Sequence, residues 1–145
     1  MDKKTYKIFI KNSIKRFAKD LEETNFYSKK DAIKLSKKIY VNNTNKDFKN
    51  SEFGFYTIYN KKKKKIGYLW LKNEKKMLLI SEIYIRKKYR NQGYGNALMS
   101  KIEKIAKKLK VDKIELSVMV KKNIAKILYI KYGFSVISEL MMKKV

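Results

Sequence analysis

The chain has 145 residues, 44% of them hydrophobic and 13% aromatic, with a formal charge of +25. That length and apolar content suit one folded domain over residues 1–145 rather than a disordered basic tail, and no apolar run approaches the ~18 residues of a membrane span. Cysteine and histidine are both absent, which excludes a disulfide framework, a thiolate nucleophile, a cysteine-bound metal and a histidine base.

Chemistry therefore rests on carboxylates, tyrosines, lysines or backbone dipoles, and no metal is expected. The N-terminus has no apolar segment after its lysines, so no secretory signal is read and a cytoplasmic location is expected. The 38 basic residues include only three arginines, Arg16, Arg86 and Arg90. Arginine is the residue of bidentate phosphate and base recognition. The excess lysine is spread evenly along the chain and reads as AT-rich codon bias ahead of dedicated nucleic-acid binding. A nucleic-acid partner stays open without being favoured.

In chain order, Tyr6, Ile10, Ile14, Phe17 and Leu21 form one apolar stripe and predict a helix from about Lys3 to Glu23. Ser28 followed by Asp31 reads as a capping box. The helix it opens runs to about Tyr40 and buries Ala32, Leu35, Ile39 and Tyr40. Val41 to Ser51 is polar and reads as a loop. Phe53–Tyr59, Ile66–Lys72 and Met77–Arg86 alternate as strands joined by turns at 60–65 and 73–76, an antiparallel meander. A helix from about Gln92 to Lys110 follows, with Leu98, Ile102, Ile105 and Leu109 inward. Lys113–Val118 reads as a strand reached by a parallel crossover. Asn123–Tyr132 is a short helix stopped by Gly133, and Phe134–Ser138 and Leu140–Lys144 read as two final strands.

Two segments carry chemistry. The first, Ile83 to Asn96, is a strand entering a basic turn and then a helix across Gly93 and Gly95. A glycine-bearing turn at a helix N-terminus offers unpaired N–H groups and a positive dipole end, which suits phosphate. The spacing is Arg90-x-x-Gly93-x-Gly95. The second is Asn123-Ile-Ala125-Lys-Ile-Leu128-Tyr129-Ile-Lys-Tyr132-Gly133-Phe134.

Together, in that order and spacing, these segments resemble the two signature motifs of the GNAT superfamily of acyl-coenzyme A N-acyltransferases. The resemblance covers at least Gly67 to the C-terminus. It implies an α/β fold: a mixed, mostly antiparallel sheet flanked by about four helices. Two departures stand out. The family's opening strand is reduced or missing here, because the helical pattern begins almost at Met1. Its usual proline before the loop arginine is replaced by Lys87 or Lys88.

The resemblance further implies direct transfer of an acetyl group from acetyl-coenzyme A to an amine, on a small molecule or a protein or peptide. Tyr129 takes the position of the general acid for the leaving sulfur; the alternative is a core tyrosine. Glu82 is the candidate base, directly or through a water, in an apolar run (Leu78, Leu79, Ile80, Ile83) where desolvation raises a carboxyl's pKa. It reads equally well as an outward glutamate paired with a lysine. The strand Ile83, Tyr84, Ile85 is implied to hold the pantetheine amide and polarise the thioester. Arg90, Asn91, Gln92, Gly93, Tyr94, Gly95 and Asn96 are implied to cradle the pyrophosphate. Asn123 is implied to contact the coenzyme A arm, and it also suits the N-cap of the last helix.

Other readings are an acetyltransferase acting on a nucleic-acid-bound amine such as aminoacyl-tRNA, a non-enzymatic basic nucleic-acid-binding module, and an acetyl-coenzyme A sensor. The protein is expected to be a monomer or homodimer.

Overall fold

Asp2 starts the first helix, because its carboxylate accepts the Thr5 N–H at 2.8 Å and so satisfies one of the donors a helix N-terminus leaves open. The structure is a computed structural model that describes residues 1–44 and 53–145. The chain divides into two units, 1–49 with 135–145 and 50–134.

In the first unit, α1 spans Lys3–Glu22 and α2 spans Lys29–Thr44. Ser28 Oγ accepts the Asp31 N–H at 3.1 Å, so the predicted cap forms. The buried line of α1 is displaced from the predicted stripe. Thr5, Phe9, Ser13, Ala18 and Leu21 are buried, while Tyr6, Ile10, Ile14 and Phe17 are half-buried. In α2 the buried residues are Ala32, Ser36 and Tyr40, with Leu35 and Ile39 half-buried.

The reason is close helix approach, which favours small side chains where backbones meet. Ser13 and Ser36 are fully buried. Ser36 Oγ donates to the Ile14 carbonyl at 2.7 Å, and Arg16 Nη2 donates to Ser13 Oγ at 2.8 Å. Hydropathy alone does not rank a serine as core. Helix α2 also continues past Tyr40 through Val41–Thr44, where a loop is predicted; no glycine or proline stops it there. The rest of that predicted loop lies outside the described residues.

The second unit is built on a four-stranded sheet in the order β1-β2-β3-β4, with β1 Phe53–Tyr59, β2 Lys65–Glu74, β3 Met77–Ile85 and β4 Lys113–Leu116. The first three strands pair antiparallel and β4 pairs parallel to β3. Among the described residues no strand precedes α1, as the early helical pattern predicts. The first turn is fixed by Asn60, whose side chain accepts the Lys64 N–H at 2.9 Å. The second tightens to Lys75–Lys76, with Lys75 in the left-handed region (φ 47°).

Helix α3 (Tyr94–Lys108) lies on one face of this sheet. Its Leu98, Met99, Ile102 and Ala106 pack with Leu69, Leu71, Leu78 and Ile80. Burying each leucine, isoleucine or methionine of this set contributes about 1.5–3 kcal/mol. Leu109, predicted inward, is the C-cap and is 42% exposed. Helix α4 (Asn123–Lys131) follows β4.

The two final predicted strands do not form. Residues 134–145 carry no helix or strand. Their apolar alternation is real, but a strand exists only where another strand accepts its hydrogen bonds.

Candidate active site

The site begins where β3 and β4 part. Their pairing ends at Ile80↔Leu116, while β3 continues to Ile85. The register of β3 against β2 breaks at the same place: Trp70 faces Glu82 and Leu71 faces Ile80, leaving Ser81 as the extra residue of a bulge. Ser81 Oγ is buried with no hydrogen-bond partner.

Beyond the bulge, Arg86 N–H donates to the Ile66 carbonyl at 2.8 Å. Strand alternation then turns the backbone groups of Tyr84 toward β2 and those of Ile83 and Ile85 toward the open edge. Of the three strand residues read from the sequence, Ile83 and Ile85 turn their N–H groups to the open edge. The Tyr84 backbone is turned to β2, and its ring stacks on Tyr68, ring centroids 6.4 Å apart.

After the 3-10 turn Lys87–Tyr89 the chain enters the loop. Asn91 (φ 58°) and Gly93 (φ 79°) both adopt the left-handed conformation. Gly93 is the N-cap of α3, offers no side-chain acceptor, and has open space where a Cβ would stand. The first-turn N–H groups of Tyr94, Gly95 and Asn96 therefore point out of an uncapped helix end with no acidic residue in its first turn. Such an end suits an anion through its N–H groups and its dipole. Gln92 Nε2 braces the loop on the Lys88 carbonyl at 2.9 Å. Arg90 Nε donates to the Ile85 carbonyl at 2.9 Å, and its guanidinium lies 5.7 Å from the Tyr84 ring centroid. Arg90 thus ties the loop to the strand end as well as supplying charge.

Gly95 is glycine for a different reason from Gly93. It is helical, and a Cβ there would stand 2.9 Å from Leu128 Cδ2 on α4. Tyr132 Oη donates to the Asn96 carbonyl at 3.0 Å. Through Leu128 and Tyr132 the second motif is docked on the start of α3, about 30 residues away in sequence.

Helix α4 ends in a Schellman turn: Gly133 N–H donates to the Ile130 carbonyl and Phe134 N–H to the Tyr129 carbonyl, both at 3.0 Å, with Gly133 at φ 87°. The turn lays Phe134 against Tyr129, ring centroids 5.8 Å apart. Burial pushes the Tyr129 phenol above its ordinary value of 10.0, so it stays protonated at neutral pH and can donate. Asn123 is the first helical residue of α4, and the N-cap is Lys122, which makes no side-chain cap.

Tyr129 and Glu82 lie on opposite faces of the sheet. Tyr129 packs against the core cluster that Leu69, Leu71 and Ile80 of the sheet form with α3. Glu82 pairs with Trp70, which alternates with Leu69 and Leu71 and so points the other way. It is half-buried. The open edge of β3 runs between the two faces. Sequence reasoning missed Ser81 and Tyr132: the first is a lone hydroxyl in an apolar run, and the second sits inside the motif.

Among the described residues no cluster of histidine, cysteine, aspartate or glutamate could hold a metal, and no helix is long and apolar enough to cross a membrane. A model of the Acetyltransferase (GNAT) family matches residues 15–134. The structure is similar to that of YycN from Bacillus subtilis, a candidate acetyltransferase, with TM-score 0.92 and 20% identity over 100% of this chain and 95% of that one. It is also similar to the PaiA N-acetyltransferase of Thermoplasma acidophilum in complex with coenzyme A, with TM-score 0.63 and 21% identity over 88% and 84%. No curated protein matches the sequence. Residues 135–145 lie beyond the family match.

Proposed function

This chain belongs to the acetyltransferase (GNAT) family, whose acyl donor is acetyl-coenzyme A, and we propose that it acetylates an amine acceptor by direct transfer. The observation that carries the reading is the continuity of the unpaired β3 edge at Ile83 and Ile85 with the uncapped N-terminus of α3. That run provides strand-type donors for an amide-bearing arm and then helix-end donors for a pyrophosphate.

In this reading the Ile83 and Ile85 N–H groups align the pantetheine arm and polarise the thioester carbonyl. The loop from Arg90 to Asn96 holds the pyrophosphate, with Gly93 allowing close approach. Asn123 contacts the arm from the start of α4. The acceptor amine is nucleophilic only when neutral, and Glu82 takes its proton, directly or through a water. Tyr129 returns a proton to the departing sulfur from the other face. Base and acid on opposite faces of one sheet suit an attack on one side and a departure on the other. The whole chain acts as one N-acetyltransferase domain, in the cytoplasm.

Acetyl-coenzyme A at ~100 times its dissociation constant should stabilise the fold by about 2.7 kcal/mol. An unchanged melting temperature up to roughly millimolar ligand would overturn the reading. Thiol release across small amines, peptides and charged tRNA then identifies the acceptor. Release with charged tRNA alone would favour the nucleic-acid-bound amine.

A further inference from the structure

Helix α1 gathers its positive charge into a row. From Lys3 to Lys19 the sequence has no carboxylate, and Lys3, Lys7, Lys11, Lys15 and Lys19 recur at every fourth position, all of them exposed. Side chains four apart stand one above the other on a helix, about 6 Å apart along its axis, so the row runs about 24 Å. Lys19, at its end, has a partner: Nζ lies 3.9 Å from Glu23 Oε1. Among the described residues no ion pair reaches Lys3, Lys7, Lys11 or Lys15.

Such a row works against the helix that carries it. Like charges four apart repel, and Lys3 and Lys4 stand at the positive end of the helix dipole. Lysines on α3 are broken up instead, with Glu103 set among Lys101, Lys104, Lys107 and Lys108. Codon bias adds lysines along a whole chain; it does not clear the carboxylates from the body of one helix.

The chemistry of the row narrows its partner. A lysine ammonium is a point charge suited to phosphate, and without arginine forks it reads no base. Arg16, the one arginine of α1, donates to Ser13 Oγ at 2.8 Å. Besides its lysines α1 exposes only Ile8, Asn12 and Glu22. That surface has no aromatic ring on which an unpaired base could stack. It has no apolar face to enter a lipid surface, and none of the aromatic or arginine anchors of a protein interface. A base-paired strand, which turns its phosphates outward and its bases in, asks for none of these.

We propose that α1 docks the phosphate backbone of a base-paired RNA through Lys3, Lys7, Lys11 and Lys15, without regard to sequence. The choice of RNA rests on the proposed acetylation of an amine, since RNA carries an aliphatic amine when an amino acid is esterified to its 3′ end. The docking itself needs neither the amine nor acetyl-coenzyme A.

Fluorescence anisotropy with uncharged tRNA therefore tests the row alone. Two variants of the full chain remove the same charge from different helices. One carries Lys3→Gln, Lys7→Gln, Lys11→Gln and Lys15→Gln on α1; the other carries Lys101→Gln, Lys104→Gln, Lys107→Gln and Lys108→Gln on α3. Each phosphate contact adds about 0.7–0.9 to the slope of log affinity against log salt. The α1 variant should lower that slope by about 3–4, and the α3 variant by less than about 1. With its like-charge row gone, the α1 variant should melt at or above the wild-type temperature in low salt, which shows that it is folded. Equal losses in the two variants overturn the proposal, as does a failure to bind tRNA at about 50 mM salt. Row-dependent binding to phosphatidylglycerol vesicles that exceeds binding to tRNA also overturns it. An unchanged melting temperature with acetyl-coenzyme A sinks the acetylation reading instead and leaves the tRNA result standing.

Discussion

The four α-helices of the described residues begin in two different ways. Helices α1 and α2 are closed by their own side chains, Asp2 on the Thr5 N–H and Ser28 on the Asp31 N–H. Helices α3 and α4 start at Gly93 and Lys122 with no side-chain cap. A missing cap costs about 1 kcal/mol, so an uncapped end is a place where stability is withheld from the apoprotein. Both open ends belong to the segments that carry the family motifs, and Leu128 and Tyr132 dock the later part of the second segment on the start of α3. The capped helices serve packing; the uncapped pair starts with no side-chain acceptor on its first-turn N–H groups.

The largest effect expected from breaking this contrast lies at Tyr129. Tyr129→Phe should leave acetyl-coenzyme A binding intact and slow turnover by about 10²–10⁴-fold, the range for a positioned proton donor. Normal turnover would remove Tyr129 from the acid role. Its pH behaviour follows from the direction of the shift. The phenol must be protonated to act, and burial raises its pKa above 10.0. The alkaline loss of activity assigned to it should therefore lie above pH 10.0. Ionising a group whose folded pKa is raised also costs stability as pH rises past the unfolded value. Ultraviolet titration of wild type against Tyr129→Phe separates this phenol from the other tyrosines.

Next in size is the open end of α3. Gly93→Val places a β-branched residue at φ 79° and projects methyls into the space in front of the helix. It should remove the ~2.7 kcal/mol ligand stabilisation seen at ~100 times the dissociation constant. Retention of the full melting shift would show that the pyrophosphate binds elsewhere.

The capped end gives the control. Asp2→Ala should lower stability by about 1 kcal/mol, within the 0.5–2 range for lost caps, and leave the ligand-induced shift unchanged. A changed shift would mean that α1 is coupled to the site. Smallest of all is Gly95→Ala. The added Cβ meets only the flexible end of Leu128, so a cost below about 1 kcal/mol is expected. If Gly95→Ala were instead as damaging to binding as Gly93→Val, both glycines would be contacting the ligand.

Much of the site is legible in local sequence. The Arg90-x-x-Gly93-x-Gly95 spacing and the Asn123–Phe134 segment mark two helix starts, and Gly133 marks the turn that returns Phe134 to Tyr129. What the spacing does not convey is why each glycine is there. Gly93 answers to backbone conformation and Gly95 to a helix packed across it, and only the second requires knowing where Leu128 lies. Likewise an apolar run around Glu82 reads as one hydrophobic surface, whereas the bulge at Ser81 decides which face the carboxylate takes.

By itself the sequence determined the order of elements from α1 to α4, the three-strand meander, the parallel crossover and both motif segments, because hydrophobic period, turn residues and helix stops are local properties. Tertiary structure decided the rest. It chose Ser13 and Ser36 over larger apolar neighbours, since close-packed helices select for size as well as hydropathy. It parted β3 from β4 after Ile80 and brought Tyr132 to Asn96. It also left residues 134–145 without a ladder, because a strand is made by its partner and pattern alone does not supply one.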